Sequence, residues 1–530
     1  MPTKLARVLY EAPISLLLTG LAVFMFAFHT AAETPDVSWL TDMCMRILAG
    51  EQAYVDIFET TPPIPTLLYM PGAAAEFFLG IAAEPVIIAY LSVFYVFTLI
   101  YAAHLAPKSL EGVGSFRTWF IAPAAIFIFV LSHDTFAQRE AVALAAMTPL
   151  VASCLKRVEG NDWPAWYHQL AIGFLAGFGA AVKPPILTVP LMLLGLYLLV
   201  RERRLDTLLK SGLITSAAVF TAMTAVSLAL FPEYITGVVP LMKEVYVRTT
   251  VGLATYLGST TLFLLMTIAV TTMALIRRTQ MTPTLGILMI MAGGFFAVFM
   301  MQGKMFHYHA LPAVYFGFLA LSCAAGLAFN KLKSAEGKRR NIFGIKLTPA
   351  QFDLAFFGLA AFAVVPLISY NLYADKEEAF SDLSWAKDLD RPTALSISPS
   401  INICFPLSRS IKAKWIDRIH SQWVVRYANV MLSRSSLSEE EREPFERWRE
   451  NELKRVVQLI QDEKPEIIIH DIMEDSRDVS DGILSYAPDL LEPYAPIAED
   501  RGVRILRLKT AIAADNGPDL AAHNADKSAS

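Results

Sequence analysis

The chain of 530 residues is 55% hydrophobic and only 18% charged, with a mean hydropathy of +0.44, a composition that excludes a soluble globular enzyme. A formal net charge of −4 and a pI near 6.2 exclude a nucleic-acid binder, which would carry a concentrated basic face. Four cysteines, Cys44, Cys154, Cys323 and Cys404, are too scattered for a zinc site or a disulfide framework.

Eleven apolar runs interrupt the first 372 residues, at about 12–30, 84–104, 119–132, 141–155, 169–182, 185–200, 211–231, 258–276, 283–301, 310–328 and 353–372. A bilayer core of about 30 Å takes about 20 residues of helix, so the pattern predicts a polytopic α-helical membrane protein with about 11 transmembrane helices. The first run reads as a retained anchor, because no small-residue cleavage site precedes Pro35. Basic residues resist translocation. The loops on the side of the N-terminus carry 18 of them, from Lys4 and Arg7 to the group between Lys331 and Lys346, and the opposite loops carry 6. The N-terminus is therefore expected in the cytoplasm and the C-terminus outside. Cytoplasmic clusters such as RERR at 201–204 need no role beyond fixing this topology.

The expected external segments before residue 373 are 31–83, 133–140, the break at Lys183, 232–257 and 302–309, and nearly all the unusual polar residues fall in them. After 372 the composition switches to charged. TALSIS (393–398), PEIIIHD (465–471) and VRILRLKT (503–510) read as strands, and 438–463 reads as a polar helix with Ser438 as N-cap and Glu441 completing a capping box. Trp448, Leu453, Val456, Val457 and Ile460 would form its buried stripe. The expected domains are a membrane domain over 1–372, an extracytoplasmic α/β domain over 373–511 and a disordered Ala-, Asp-, Asn- and Ser-rich tail over 512–530.

The first external loop runs PDVSWLTDMCMRILAGEQAYVDIFETTPPIPTLLYMP from 35 to 71 and carries Asp36, Asp42, Asp56 and Glu59 beside the membrane surface. Carboxylates there are costly unless paired, hydrated or functional. The order of an apolar helix, Asp36, Arg46, Gly50, Tyr54-Val55-Asp56, Glu59 and Pro62-Pro63 resembles the first-loop signature of GT-C membrane glycosyltransferases, the class that includes protein O-mannosyltransferases and aminoarabinose transferases. The resemblance continues at HDTFAQRE (133–140), AVKPP (181–185) and GKMFHYHALP (303–312), and so covers about 1–372. Thr60 and Thr61 stand where the aminoarabinose transferase pattern has a lysine. The resemblance implies a GT-C-like fold and inverting transfer of a sugar from a polyprenyl-phosphate donor to an extracytoplasmic glycan, lipid or protein. It further implies a bacterial inner membrane protein with a periplasmic active site, and no nucleic-acid partner.

Such a transfer needs a base for the acceptor hydroxyl and cations for the departing phosphate. The resemblance makes Asp36 the base, and Asp134 in the second external turn is its partner or alternative. Arg139, Lys183, Lys304, His307 and His309 are the candidates for the donor phosphate, with Arg46, Asp56, Glu59 and Arg248 as further candidates. The competing reading of Lys183, Lys304 and Arg248 is a snorkelling anchor at the end of a membrane helix. His307 and His309 could bind a divalent metal ion with Asp36 and Glu59. The competing functions are a transporter or flippase of a lipid-linked saccharide, for which inverted repeats are lacking, and a polysaccharide ligase.

Overall fold

A computed structural model describes residues 20, 34–132, 135–183, 188–249, 252–333, 340–342, 345–347, 380, 382–435 and 437–515. In chain order the principal helices are α1 (Pro35–Leu48), α2 (Ala83–Leu105), α3 (Arg117–Leu131, with π-helical turns at both ends), α4 (Arg139–Val158), α5 (Trp166–Val182), α6 (Thr188–Glu202), α7 (Leu213–Leu230), α8 (Thr260–Arg278), α9 (Pro283–Gln302) and α10 (His307–Lys333). They are followed by α11 (Trp423–Leu432), α12 (Glu439–Glu463) and α13 (Arg477–Tyr486). The chain divides into two compact units, one of 1–32, 63–230 and 250–375 and one of 33–62, 231–249 and 376–530. The second unit thus takes in two segments that the sequence reading places with the membrane domain.

In the first unit, nine of the eleven apolar runs are helices, α2 to α10. The run 353–372, and all of 12–30 except Gly20, lie outside the described residues. Among the described residues, six helices are long and apolar enough to cross a membrane: α2, α4, α7, α8, α9 and α10. Helices α3, α5 and α6 are shorter. Burial orders them. The apolar windows of α4 and α10 are 89% enclosed, whereas that of α7 is only 11% enclosed and shows apolar side chains outward, as a lipid-facing helix does.

Between membrane helices apolar side chains gain little by leaving lipid, so close backbone approach at small residues holds the bundle together. A Cβ on Gly179 of α5 would lie 3.0 Å from the Ala146 Cβ and 3.1 Å from the Ala143 carbonyl oxygen of α4. On the other side of α5, Gly173 and Gly177 lie against Thr215, Ser216 and Val219 of α7, with the Ser216 carbonyl 2.6 Å from where a Gly177 Cβ would stand. Helix α10 is fixed to α4 by the hydroxyls of Tyr315 and Thr148, 2.9 Å apart, and to α9 by the stacked rings of Phe316 and Phe295. Gly179 sits one turn before Lys183 and Ala143 one turn after Arg139, so this packing decides which polar residues meet at the helix ends.

The second unit is built on a five-stranded sheet of β1 (Thr393–Ile397), β2 (Lys414–Trp415), β3 (Ile467–Asp471), β4 (Tyr494–Asp500) and β5 (Val503–Leu508), in the order β2-β1-β3-β5-β4. Strands β2, β1 and β3 are parallel, and β5 and β4 run antiparallel to their neighbours. Every residue of the central strand β3 is buried, which explains its unbroken IIIH run. Strand β4 escapes the sequence reading because it holds Pro496, tolerable only on a sheet edge, and β2 is just two residues long. Helix α12 begins at Ser438 with the full capping box. Its stripe holds Leu453, Val456, Val457 and Ile460 as expected, but Phe445 takes the buried place assigned to Trp448. Trp448 is only partly covered, because its indole donates to Glu244. The last helix continues to Asp515, beyond the expected start of a tail at 512, and 516–530 lie outside the described residues. All four cysteines are buried and free.

Candidate active site residues

Each unit gathers its own set of the expected residues. In the first, Arg139 and Glu140 occupy the first turn of α4, His307 and His309 the first turn of α10, Lys183 the residue closing α5, and Lys304 the turn after α9. That turn is sharp, with Gly303 at φ 65° and Met305 at φ 60°. Left-handed backbone suits glycine and is strained for methionine, so Lys304 is held in a local geometry that the chain does not adopt freely.

These ends converge. His309 is buried, and the charges of Lys183, Arg139, His307 and Lys304 all bear on it. The Lys183 ammonium lies 2.7 Å from Oε1 of Glu140 and 5.6 Å from the centre of the Tyr308 ring. Burial pulls the pKa of Lys304 down from the usual lysine range to about 8. Two helix N-termini, each with the partial positive charge of its helix dipole, add to the cations. A site so composed can hold an anion. All five residues expected at the donor phosphate therefore lie together. Glu140 and Tyr308 join them, and sequence reasoning singled out neither. The nearest signal for Glu140 was its place in HDTFAQRE.

Asp134 lies outside the described residues. Asp36 is in the second unit, half-buried in the first turn of α1, where the helix dipole suits a carboxylate. One turn on, the Trp39 indole donates to Oε2 of Glu59 at 2.5 Å, and Oε1 of Glu59 accepts from the backbone N–H of Thr61 at 2.6 Å and from the Thr60 hydroxyl at 3.2 Å. Trp39 also packs edge-on against Phe405 and His420. Burial holds the His420 pKa below the usual imidazole range, against the opposing charges of Glu59, Asp36 and Asp417. His420 and Trp39 are further residues that the sequence did not flag.

The other candidates have structural employment. Arg46 grips Oε2 of Glu51 through Nε and Nη2, at 2.8 and 2.6 Å, and donates from Nη1 to the Asp417 carbonyl at 2.8 Å. Asp56 is exposed and accepts from the Gln52 N–H at 2.8 Å, closing a turn. Arg248 is exposed, and its charge bears on Glu441 at the start of α12. Among the described residues no group of three or more His, Cys, Asp and Glu side chains could hold a metal ion. At the far end of α4, about 27 Å from Arg139 at 1.5 Å per residue, Arg157, Trp163, Glu202, Arg204 and Asp206 line a cavity of about 370 Å³. Arg157 is paired there with Glu202 and Arg204 with Asp206, so that cavity has balanced charge.

No family profile matches the sequence, and no curated protein does. Among solved structures, ArnT from Cupriavidus metallidurans in the apo state superposes with a TM-score of 0.50 at 13% identity, over 95% of this chain and 98% of that one. The same protein bound to undecaprenyl phosphate gives 0.49 at 12% identity, over 94% and 98%. The archaeal oligosaccharyltransferase AglB from Archaeoglobus fulgidus, in complex with an inhibitory peptide and a dolichol-phosphate, gives 0.44 at 12% identity over 92% and 72%. ArnT is an aminoarabinose transferase of the GT-C class. At such identity what is shared is architecture alone, and this chain has a GT-C-like fold.

Proposed function

We propose that the protein is a glycosyltransferase of the bacterial inner membrane that moves a sugar from a polyprenyl-phosphate donor to a periplasmic acceptor with inversion at the anomeric carbon. The observation that carries this reading is the convergence of Arg139, Lys183, Lys304 and His307 on the buried His309 at the ends of four helices. Cations gathered at helix ends beside apolar helices favour binding of a further anion, and a lipid phosphate supplies one at that depth. The names of the structural neighbours support the same donor class, since one is described with undecaprenyl phosphate and another with a dolichol-phosphate.

In the reaction the acceptor oxygen attacks C1 of the sugar as the bond from C1 to the phosphate oxygen breaks. The phosphate leaves with the electron pair toward the cations, and the acceptor proton passes to Asp36, with Asp134 as the alternative base. About 11 transmembrane helices, a cytoplasmic N-terminus and a periplasmic α/β domain complete the proposal. Purified protein given polyprenyl-phosphate sugars, with Lys304→Ala alongside, tests it. Loss of donor binding and of transfer in the variant is expected. Transport of the intact lipid-linked sugar without cleavage of its C1–O bond would replace the reading with a flippase.

A further inference from the structure

Glu140 has no place in the mechanism above. It sits in the first turn of α4, wholly enclosed, with the ammonium of Lys183 against it. Its carboxylate lies 2.7 Å from the Lys183 ammonium, and neither of its oxygens accepts a hydrogen bond of good geometry from another group. Glu140 thus places one negative charge from the protein itself against Lys183, within the set of cations that bear on His309.

A buried ion pair of this kind is weak evidence for a stabilising role, because the cost of taking both ions out of water offsets most of their attraction. It has a direct electrostatic effect on an incoming anion. At an effective dielectric of about 20, two unit charges about 7 Å apart still interact by more than a factor of ten in binding. The Lys183 ammonium has only a 12% exposed side chain and lies over the Tyr308 ring, so it has little freedom to turn to a ligand while it holds Glu140.

We propose that Glu140 is a built-in counter-anion that competes with the lipid phosphate for Lys183, positions that lysine in the empty site, and sets how readily the spent polyprenyl phosphate leaves. This rests on the donor-phosphate reading above. Before the donor arrives, Glu140 balances Lys183. When phosphate enters, Lys183 is shared between two anions, and their mutual repulsion speeds the departure of the product.

The test is binding of undecaprenyl monophosphate to the full-length protein in detergent, with donor KM and kcat measured in parallel. Glu140→Gln keeps the shape and removes the charge. It is expected to bind the monophosphate more tightly, on the order of tenfold, to lower KM, and to lower kcat because product release slows. Unchanged or weaker binding in folded Glu140→Gln would overturn the proposal and leave Glu140 a packing residue. Should Glu140→Gln fail to fold, Glu140→Asp keeps the charge but draws it back by one methylene, and tighter binding of smaller size is expected. Wild-type affinity in that variant would equally overturn the proposal. Lys304→Ala separates the two ideas. If it binds the monophosphate as wild type does, the donor site itself is misplaced and the role of Glu140 falls with it. If it binds weakly while Glu140→Gln shows no gain, only the counter-anion is refuted.

Discussion

The indole nitrogen of Trp39 donates to Oε2 of Glu59 at 2.5 Å, joining the first full turn of α1 to the end of the loop that follows it. Glu59 is buried, so the contact settles the orientation of the helix face that also bears Asp36, three residues earlier. Trp39→Phe keeps the ring against Phe405 and His420 but removes the donor. A buried acceptor that loses a partner costs about 1–3 kcal/mol. A lowered melting temperature and reduced transfer are expected, while donor binding in the other unit is spared. A variant indistinguishable from wild type in both melting and transfer would show that the pair organises nothing.

The base assignment is tested by replacing one oxygen with an amide nitrogen. General-base assistance is worth roughly 10²- to 10⁴-fold in rate, and Asp36→Asn is expected to lose transfer on that scale with unchanged binding of undecaprenyl phosphate. Asp134→Asn is the paired measurement. If Asp134→Asn is inert and Asp36→Asn turns over normally, the base lies in the second external turn and Asp36 only orients.

That Arg139, Lys183 and Lys304 stand at helix ends was legible in the sequence, because charge at the end of an apolar run is rare and its position is conspicuous. Glu140 was not, since its meaning depends on Lys183, which reaches it only because Gly179 lets α5 close on Ala143 and Ala146. Periodicity finds a helix face but not its long-range partner. The same limit separated Phe445 from Trp448, two aromatic residues one turn apart on α12, where the contact with Glu244 decides which ring is buried. The parallel strands β1 and β3 and the capping box at Ser438 were readable because their signals are local. The link from Trp39 to His420 is not local and had no sequence signature.

That reading of α12 makes its own prediction. Phe445 is fully buried and Trp448 is not. Phe445→Ala should destabilise the α/β unit by about 3–5 kcal/mol, the usual cost of emptying a core aromatic position. Trp448→Ala should cost clearly less. Denaturant unfolding followed by circular dichroism orders the two, and the reverse order would return Trp448 to the core.

Topology is open to a test that needs no activity. The imbalance of 18 to 6 basic residues across alternate loops predicts that reporters fused at Gly337 and Asp390 fall on opposite faces of the membrane, with Gly337 in the cytoplasm. A cytoplasmic signal from both would remove the last expected span, 353–372, and place the α/β unit on the wrong side for a periplasmic acceptor.

Lys304 gives the donor site a pH dependence of definite sign. With its pKa drawn down by burial to about 8, its ammonium is largely charged at about pH 7 and largely neutral at about pH 9, whereas an ordinary lysine stays charged throughout. A phosphate monoester has its second pKa near 6, so from about pH 7 to about pH 9 the polyprenyl phosphate is already nearly all dianion and the protein supplies most of the change in charge. Affinity for undecaprenyl monophosphate should therefore fall as pH rises through about 8 in wild type. The midpoint should move upward in the complex, because a bound anion favours the protonated lysine. Lys304→Arg keeps a positive charge at every accessible pH, so its binding should be flat from about pH 7 to about pH 9. A wild-type profile just as flat would mean that Lys304 does not face the phosphate, and a fall that persists unchanged in Lys304→Arg would assign the titration to another group.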